Sequence, residues 1–150
     1  MNDLQDLYQE IIIDHSKRPR NFSELAGATQ EAQGYNPLCG DRVMVFLKME
    51  GETIRDIRFQ GTGCAISTAS ASLMTERLKG RTRAEAEELF HRFHDLVAGD
   101  GSGAPGGPEL GKLAVFSGVR EYPVRVKCAT LAWHAMRAAL ESRQKVVSTE

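Results

Sequence analysis

Three thiols and one carboxylate, Cys39, Cys64, Cys128 and Asp41, are the side chains whose chemistry and placement could combine. Cys39 and Asp41 flank Gly40 in Tyr35-Asn36-Pro37-Leu38-Cys39-Gly40-Asp41-Arg42, where Asn-Pro and Gly are turn formers. A strand-like run, Val43-Met44-Val45-Phe46-Leu47, follows directly and gives the Cys-x-Asp pair a stiff support. Cys64 closes Gly61-Thr62-Gly63-Cys64 at the start of a helix, where unpaired N–H groups and the positive dipole end favour thiolate over thiol. Cys128 falls near the N-terminal end of the last helix. Three thiolates and a carboxylate suffice for a tetrahedral zinc site. The spacing alone is weak support, because it contains no Cys-x-x-Cys, and buried cysteines often serve as small core hydrophobes. Asp41 could instead form the turn or pair with Arg42. Position favours ligation: each cysteine lies where a loop meets an element, and two are flanked by glycine.

The elements that must position these residues follow from periodicity. Asp3 to Ser16 reads as an amphipathic helix, with Leu4, Leu7, Tyr8, Ile11 and Ile12 at helical spacing and Arg18-Pro19-Arg20 as the stop. Ile13 widens that stripe, so the helix either packs plainly on the core or offers a partner an apolar face. Strands are expected over Ala28–Gly34, Arg42–Met49 and Ile54–Gln60, the last two joined by a Glu50-Gly51-Glu52-Thr53 hairpin, with Arg55 and Arg58 facing water. A sheet this small needs helices on one face. Helices are expected from Ala65 to Leu78, burying Ile66, Ala69, Leu73 and Met74, and from Thr82 to Val97, opened by a Thr82/Glu85 capping box. The Gly-rich passage near 99–108 reads as a flexible insertion within one domain spanning 1–150, because too little chain follows it for a second core. A short helix over Glu109–Phe116 and a loop over 117–122 lead to Pro123, which suits the first position of a terminal helix reaching about Arg143. Val124, Cys128, Leu131, Ala132, Ala135, Ala138 and Ala139 share one face of that helix. The expected fold class is α+β, an antiparallel sheet of about three strands packed by helices on one face.

Composition narrows the function. At 150 residues, with 41% apolar and 26% charged residues, the chain can build one sizeable core. A net charge of −1 argues against nucleic acid as the main partner, and no apolar run approaches a membrane span. The first residues lack a signal-peptide pattern, so a cytoplasmic setting is expected, where three cysteines are more readily thiols or metal ligands than disulfides. His91 and His94 are three apart on a solvated helix; His134 and His15 read as surface residues, and Trp133 as packing or partner contact. No histidine has a setting that pairs it with Cys39 for hydrolysis. A purely structural zinc domain remains a competing class.

Asn36-Pro37-Leu38-Cys39-Gly40-Asp41, Gly61-Thr62-Gly63-Cys64-Ala65-Ile66-Ser67 and Arg125-Val126-Lys127-Cys128-Ala129-Thr130-Leu131-Ala132-Trp133 together resemble the three cysteine blocks of the IscU/SufU (NifU N-terminal-like) iron–sulfur cluster assembly family. The likeness spans nearly the whole chain. IscU-type scaffolds carry a histidine before the third cysteine; Lys127 stands here, and the Gly-rich passage is longer, both similar to the SufU branch. The resemblance implies Zn2+ held by Cys39, Asp41, Cys64 and Cys128, with Cys39 accepting persulfide sulfur from a SufS-like cysteine desulfurase. A desulfurase histidine would take the place of Cys39 at the metal, freeing its thiolate for attack. Three thiolates and a carboxylate around zinc carry a formal −2 charge, which Arg125 and Lys127 could moderate. The chain would then be a sulfurtransferase-type partner and activator of the desulfurase, not a stand-alone enzyme, delivering sulfur to downstream cluster-assembly machinery. The alternative is a scaffold that assembles a transient 2Fe–2S cluster, or holds iron, on Cys39, Cys64 and Cys128.

Overall fold

The computed structural model describes residues 3–37, 40–98, 110–141 and 146–148. Helix α1 (Asp3–Lys17) precedes strands β1 (Gln30–Asn36), β2 (Asp41–Glu50) and β3 (Thr53–Thr62). Helices α2 (Ala65–Leu78) and α3 (Arg83–Ala98), a 3-10 segment (Gly111–Glu121), helix α4 (Pro123–Leu140) and strand β4 (Val146–Ser148) complete the order.

The sheet runs β3-β2-β1-β4, with β1, β2 and β3 antiparallel as expected and β4 added parallel to β1. Alternation decides which face is dry. Val43, Val45 and Leu47 of β2 are buried, as are Ala32 of β1 and Ile57 and Phe59 of β3, while Met44, Phe46 and Lys48 point to the opposite, half-exposed face. Helix α4 covers β1 and β2, α2 packs on β3 and α4, and α1 lies on α2. The β2–β3 connection is a two-residue hairpin loop with Gly51 at φ +62°, a conformation open to glycine in its first central position.

The capping box is present: the Thr82 N–H donates to Glu85 Oε1 at 3.0 Å, and the Glu85 N–H donates to Thr82 Oγ1 at 3.1 Å. Pro123 opens α4 as expected. The last carbonyls of α4 are met by donors from elsewhere, Gln30 Nε2 on Ala139 and Leu140 and the Arg83 guanidinium on Leu140. These contacts satisfy helix-end acceptors that lack partners within the helix.

Several expectations need correcting. The first strand lies two residues later than Ala28–Gly34. The loop expected over 117–122 is largely helical, because the 3-10 segment continues to Glu121. Leu110, Leu113, Phe116 and Val119 are all buried at a strict spacing of three, which suits three residues per turn. Helix α4 stops at Leu140, short of Arg143. Val124 and Leu7, placed on apolar faces, are 54% and 51% exposed, and Arg58 is half-buried against Asp56 and Ser23. His15 is no surface residue: it is 2% exposed, with Nδ1 2.7 Å from Ser72 Oγ. His134 is half-buried between Phe90 and His94. The Gly-rich passage near 99–108 lies outside the described residues.

Candidate metal centre

Asp41 continues the core-facing row of β2. Going along that strand, Leu47, Val45 and Val43 point into the core, and the next inward position is Asp41, 2% exposed, paired across the ladder with the fully buried Asn36. An apolar row thus ends in a carboxylate at the edge of the dry layer. The β1–β2 connection is tight: the Gly40 N–H donates to the Asn36 carbonyl at 2.8 Å, and Gly40 adopts φ +74°.

Cys64 arrives from the adjacent strand. After β3 the chain turns into α2 with Cys64 as the N-cap, its backbone extended at φ −72° and ψ 170°. Its sulfur accepts the Ser67 N–H at 3.4 Å, taking the role a serine or aspartate oxygen usually plays at a helix start. The Cys64 N–H donates in turn to Asp41 Oδ1 at 3.0 Å, and Cys64 Sγ lies 3.6 Å from Asp41 Oδ2. Asp41 therefore serves Cys64 and not its neighbour Arg42, whose guanidinium sits 4.8 Å from the centre of the Tyr35 ring.

Cys128 comes from α4, 4% exposed, one residue before Ala129. The helices carrying Cys64 and Cys128 are joined by Ser70, whose hydroxyl donates to the Ala129 carbonyl at 2.6 Å and accepts the Trp133 indole N–H at 3.2 Å. Trp133 itself is fully buried and stacked on Phe93 at 4.7 Å, a packing residue.

The three donors converge: one ligand atom each from Asp41, Cys64 and Cys128 lie within 4.8 Å of one another, and neither cysteine is in a disulfide. Among the described residues no other group of three or more such side chains comes together. The donor set fits zinc. Ligand bonds of about 2.3 Å to sulfur and about 2.1 Å to oxygen at a tetrahedral angle place S and O about 3.6 Å apart. The Cys64 Sγ to Asp41 Oδ2 separation matches that edge. Cys39, the fourth expected ligand, lies outside the described residues, between Pro37 and Gly40. Arg125 is exposed with its guanidinium over the Tyr122 ring at 5.2 Å, and Lys127 is half-buried beside Cys128. His91 is exposed, and His94 and His134 pack around Phe90 away from this cluster of donors.

The family model described as NifU-like N-terminal domain matches residues 7–148. The chain belongs to this family. Its relatives in the NifU-like family include the iron–sulfur cluster assembly scaffold protein IscU of Streptococcus pyogenes serotype M1, 40% identical over 94% of this chain and 87% of that protein. The zinc-dependent sulfurtransferase SufU of Bacillus subtilis (strain 168) is 36% identical over 94% of both chains. Among solved structures, an iron–sulfur cluster assembly scaffold protein for the SUF system from Fervidobacterium islandicum AW-1 superposes with a TM-score of 0.82 at 34% identity. That match covers 91% of this chain and 98% of the other. The NifU-like fold and membership among IscU/SufU iron–sulfur assembly proteins are thereby established. Among the described residues no helix is long and apolar enough to cross a membrane.

Two contributors escaped the sequence reading. Ser67 and Ser70 both look like generic helix residues, yet the N–H of one holds the Cys64 sulfur and the hydroxyl of the other fixes α2 to α4. The cluster of serines at 67, 70 and 72 in Ser67-Thr68-Ala69-Ser70-Ala71-Ser72 was the available signal, since small polar residues on a buried face must bond across it.

Proposed function

We propose that this chain is a zinc-dependent sulfur acceptor that takes persulfide sulfur from a cysteine desulfurase onto Cys39 and passes it to downstream iron–sulfur cluster assembly. The observation that carries the reading is the convergence of Asp41, Cys64 and Cys128 from three separate elements onto one point. Cys39 is tied to Asp41 through Gly40 alone, so its Cα lies at most about 7.6 Å from that of Asp41. Zinc, when bound, supplies a Lewis-acidic centre that keeps the thiols deprotonated near neutral pH.

Cys64, held by the Ser67 N–H, and Cys128, buried on α4, are the fixed ligands, whereas Cys39 falls in the sequence between β1 and β2 and is the ligand that exchanges. As a free thiolate Cys39 attacks the outer sulfur of the donor persulfide. An S–S bond forms at Cys39 as the donor's S–S bond breaks; the donor cysteine leaves as a thiolate, and the sulfane proton travels with the transferred sulfur. No external oxidant or reductant is needed. Lys127 occupies the position where IscU-type scaffolds carry histidine, and the Bacillus relative named a zinc-dependent sulfurtransferase supports the same branch.

The test adds the purified chain to a cysteine desulfurase and follows turnover. Stimulation by wild type and none by Cys39→Ala is the expected result; equal stimulation by both contradicts it. The second reading, assembly of a 2Fe–2S cluster on Cys39, Cys64 and Cys128, is favoured by the Streptococcus relative, named a scaffold. Anaerobic reconstitution followed by visible absorption separates the two, because only a scaffold forms a stable cluster and hands it to an apo-acceptor.

A further inference from the structure

We propose that Gly63 is a positioning residue for the metal centre, whose missing side chain lets the Asp41 carboxylate present a single oxygen beside the Cys64 sulfur. The proposal rests on the zinc reading above and goes one residue beyond the ligand set. A Cβ built on Gly63 would lie 3.0 Å from Asp41 Oδ1, 3.1 Å from Asp41 Cγ and 3.3 Å from Ser67 Oγ. Contacts that short require a neighbour to give way. The Asp41 backbone has little room to do so, because it is held opposite Asn36 in the β1–β2 ladder. The Gly63 backbone lies outside the left-handed region, so alanine there meets a problem of space and not of conformation.

What the slot achieves is a division of labour within one carboxylate. Oδ1 takes the Cys64 N–H at 3.0 Å, and Oδ2 is left 3.6 Å from Cys64 Sγ, facing the point where the donors meet. Outer-shell hydrogen bonds of this kind fix the orientation of metal-ligating carboxylates. The first turn of α2 thus orients two ligands at once, Asp41 through the Cys64 N–H and Cys64 through the Ser67 N–H. Filling the slot would swing the carboxylate away and leave the sulfurs in place.

The test titrates Co2+ and Zn2+ into the full chain as wild type, Gly63→Ala, Asp41→Ala and the double variant. Gly63→Ala is expected to weaken Co2+ binding about 10-fold or more. Its thiolate-to-cobalt charge-transfer band should persist while the visible d–d envelope shifts. Added to Asp41→Ala, Gly63→Ala should cost nothing further, since the group it acts through is gone. Additive losses in the double variant, or a Gly63→Ala spectrum and affinity equal to wild type, overturn the assignment. Should Gly63→Ala fail to fold by far-UV circular dichroism, Asp41→Asn takes its place. Its amide oxygen keeps the Cys64 N–H while its NH2 faces the sulfur, so the metal-free melting temperature should hold and the d–d envelope should shift. A lowered metal-free melting temperature with an unchanged spectrum overturns the division of labour. A wild type with no thiolate–cobalt band sinks the zinc reading and this assignment together; a binding wild type with an indifferent Gly63→Ala sinks this assignment alone.

Discussion

Replacing Ser70 by alanine removes one oxygen that α2 and α4 share. Ser70 is fully buried; its hydroxyl donates to the Ala129 carbonyl and accepts the Trp133 indole N–H. The Ala129 carbonyl keeps its helical acceptor role within α4, so its loss is small. The indole N–H loses a partner in a dry core, which costs about 1–3 kcal/mol. Alanine recovers a few tenths of a kcal/mol, up to about 0.5, through better helix propensity. The net expectation is a loss of about 2 kcal/mol, a shift of about 4–8 °C in melting temperature for a chain of this size. Urea unfolding of the metal-free protein should show a lower midpoint at an unchanged slope. In a Trp133→Phe background the same substitution should cost about 1 kcal/mol less, because the indole donor is already gone. A loss under about 0.5 kcal/mol, or an identical cost in both backgrounds, would refute the view that this hydroxyl joins the helices carrying Cys64 and Cys128.

Acidification should weaken the fold through two histidines. Burial, then the Arg20 charge, lowers the pKa of His15, and burial followed by His94 and Arg137 lowers that of His134, both from 6.5. The unfolded chain therefore binds more protons, so stability is full above about pH 6.5 and falls below it by up to about 1.4 kcal/mol per pH unit for each group. His15→Gln should flatten that dependence in urea melts from pH 7 to 5, and an unchanged slope would count against a neutral buried His15. Thr82→Ala should cost about 1 kcal/mol by dismantling the cap with Glu85, read as a lower thermal midpoint, whereas Thr82→Ser should cost much less. Gly61→Ala would drive a Cβ to 2.1 Å from the Arg42 carbonyl oxygen, a backbone atom, so a loss of about 3 kcal/mol or failure to fold is expected; wild-type stability would show that β2 and β3 can part there.

Strands β2 and β3, α2, the capping box of α3 and the start of α4 were legible because each has a local signature: alternation, a glycine hairpin, a polar cap, a proline. Of the candidate donors, Asp41 and Cys64 stood out through their junctions, where a turn meets a strand and a strand meets a helix. What stayed hidden was tertiary. His15 reads as a frayed polar end until Ser72, 57 residues away, is seen to supply the partner that lets it be buried. Val124 lies one helical turn before Cys128 yet is exposed, so helical spacing alone did not mark where the buried face of α4 begins. Strand β4 has only three residues and is defined by pairing with β1, a contact no local pattern announces. The helix expected over Glu109–Phe116 stops short of the observed end at Glu121, because its apolar residues recur every third position and not at a period of 3.6.

X-ray absorption at the zinc edge of the loaded full-length protein tests most directly whether these donors grip one ion. One zinc per chain with three sulfurs at about 2.3 Å and one oxygen at about 2.0–2.2 Å is expected, with one sulfur lost in Cys39→Ser and the oxygen lost in Asp41→Ala. A shell of nitrogen and oxygen alone, or a sulfur count indifferent to Cys64 and Cys128, would contradict it.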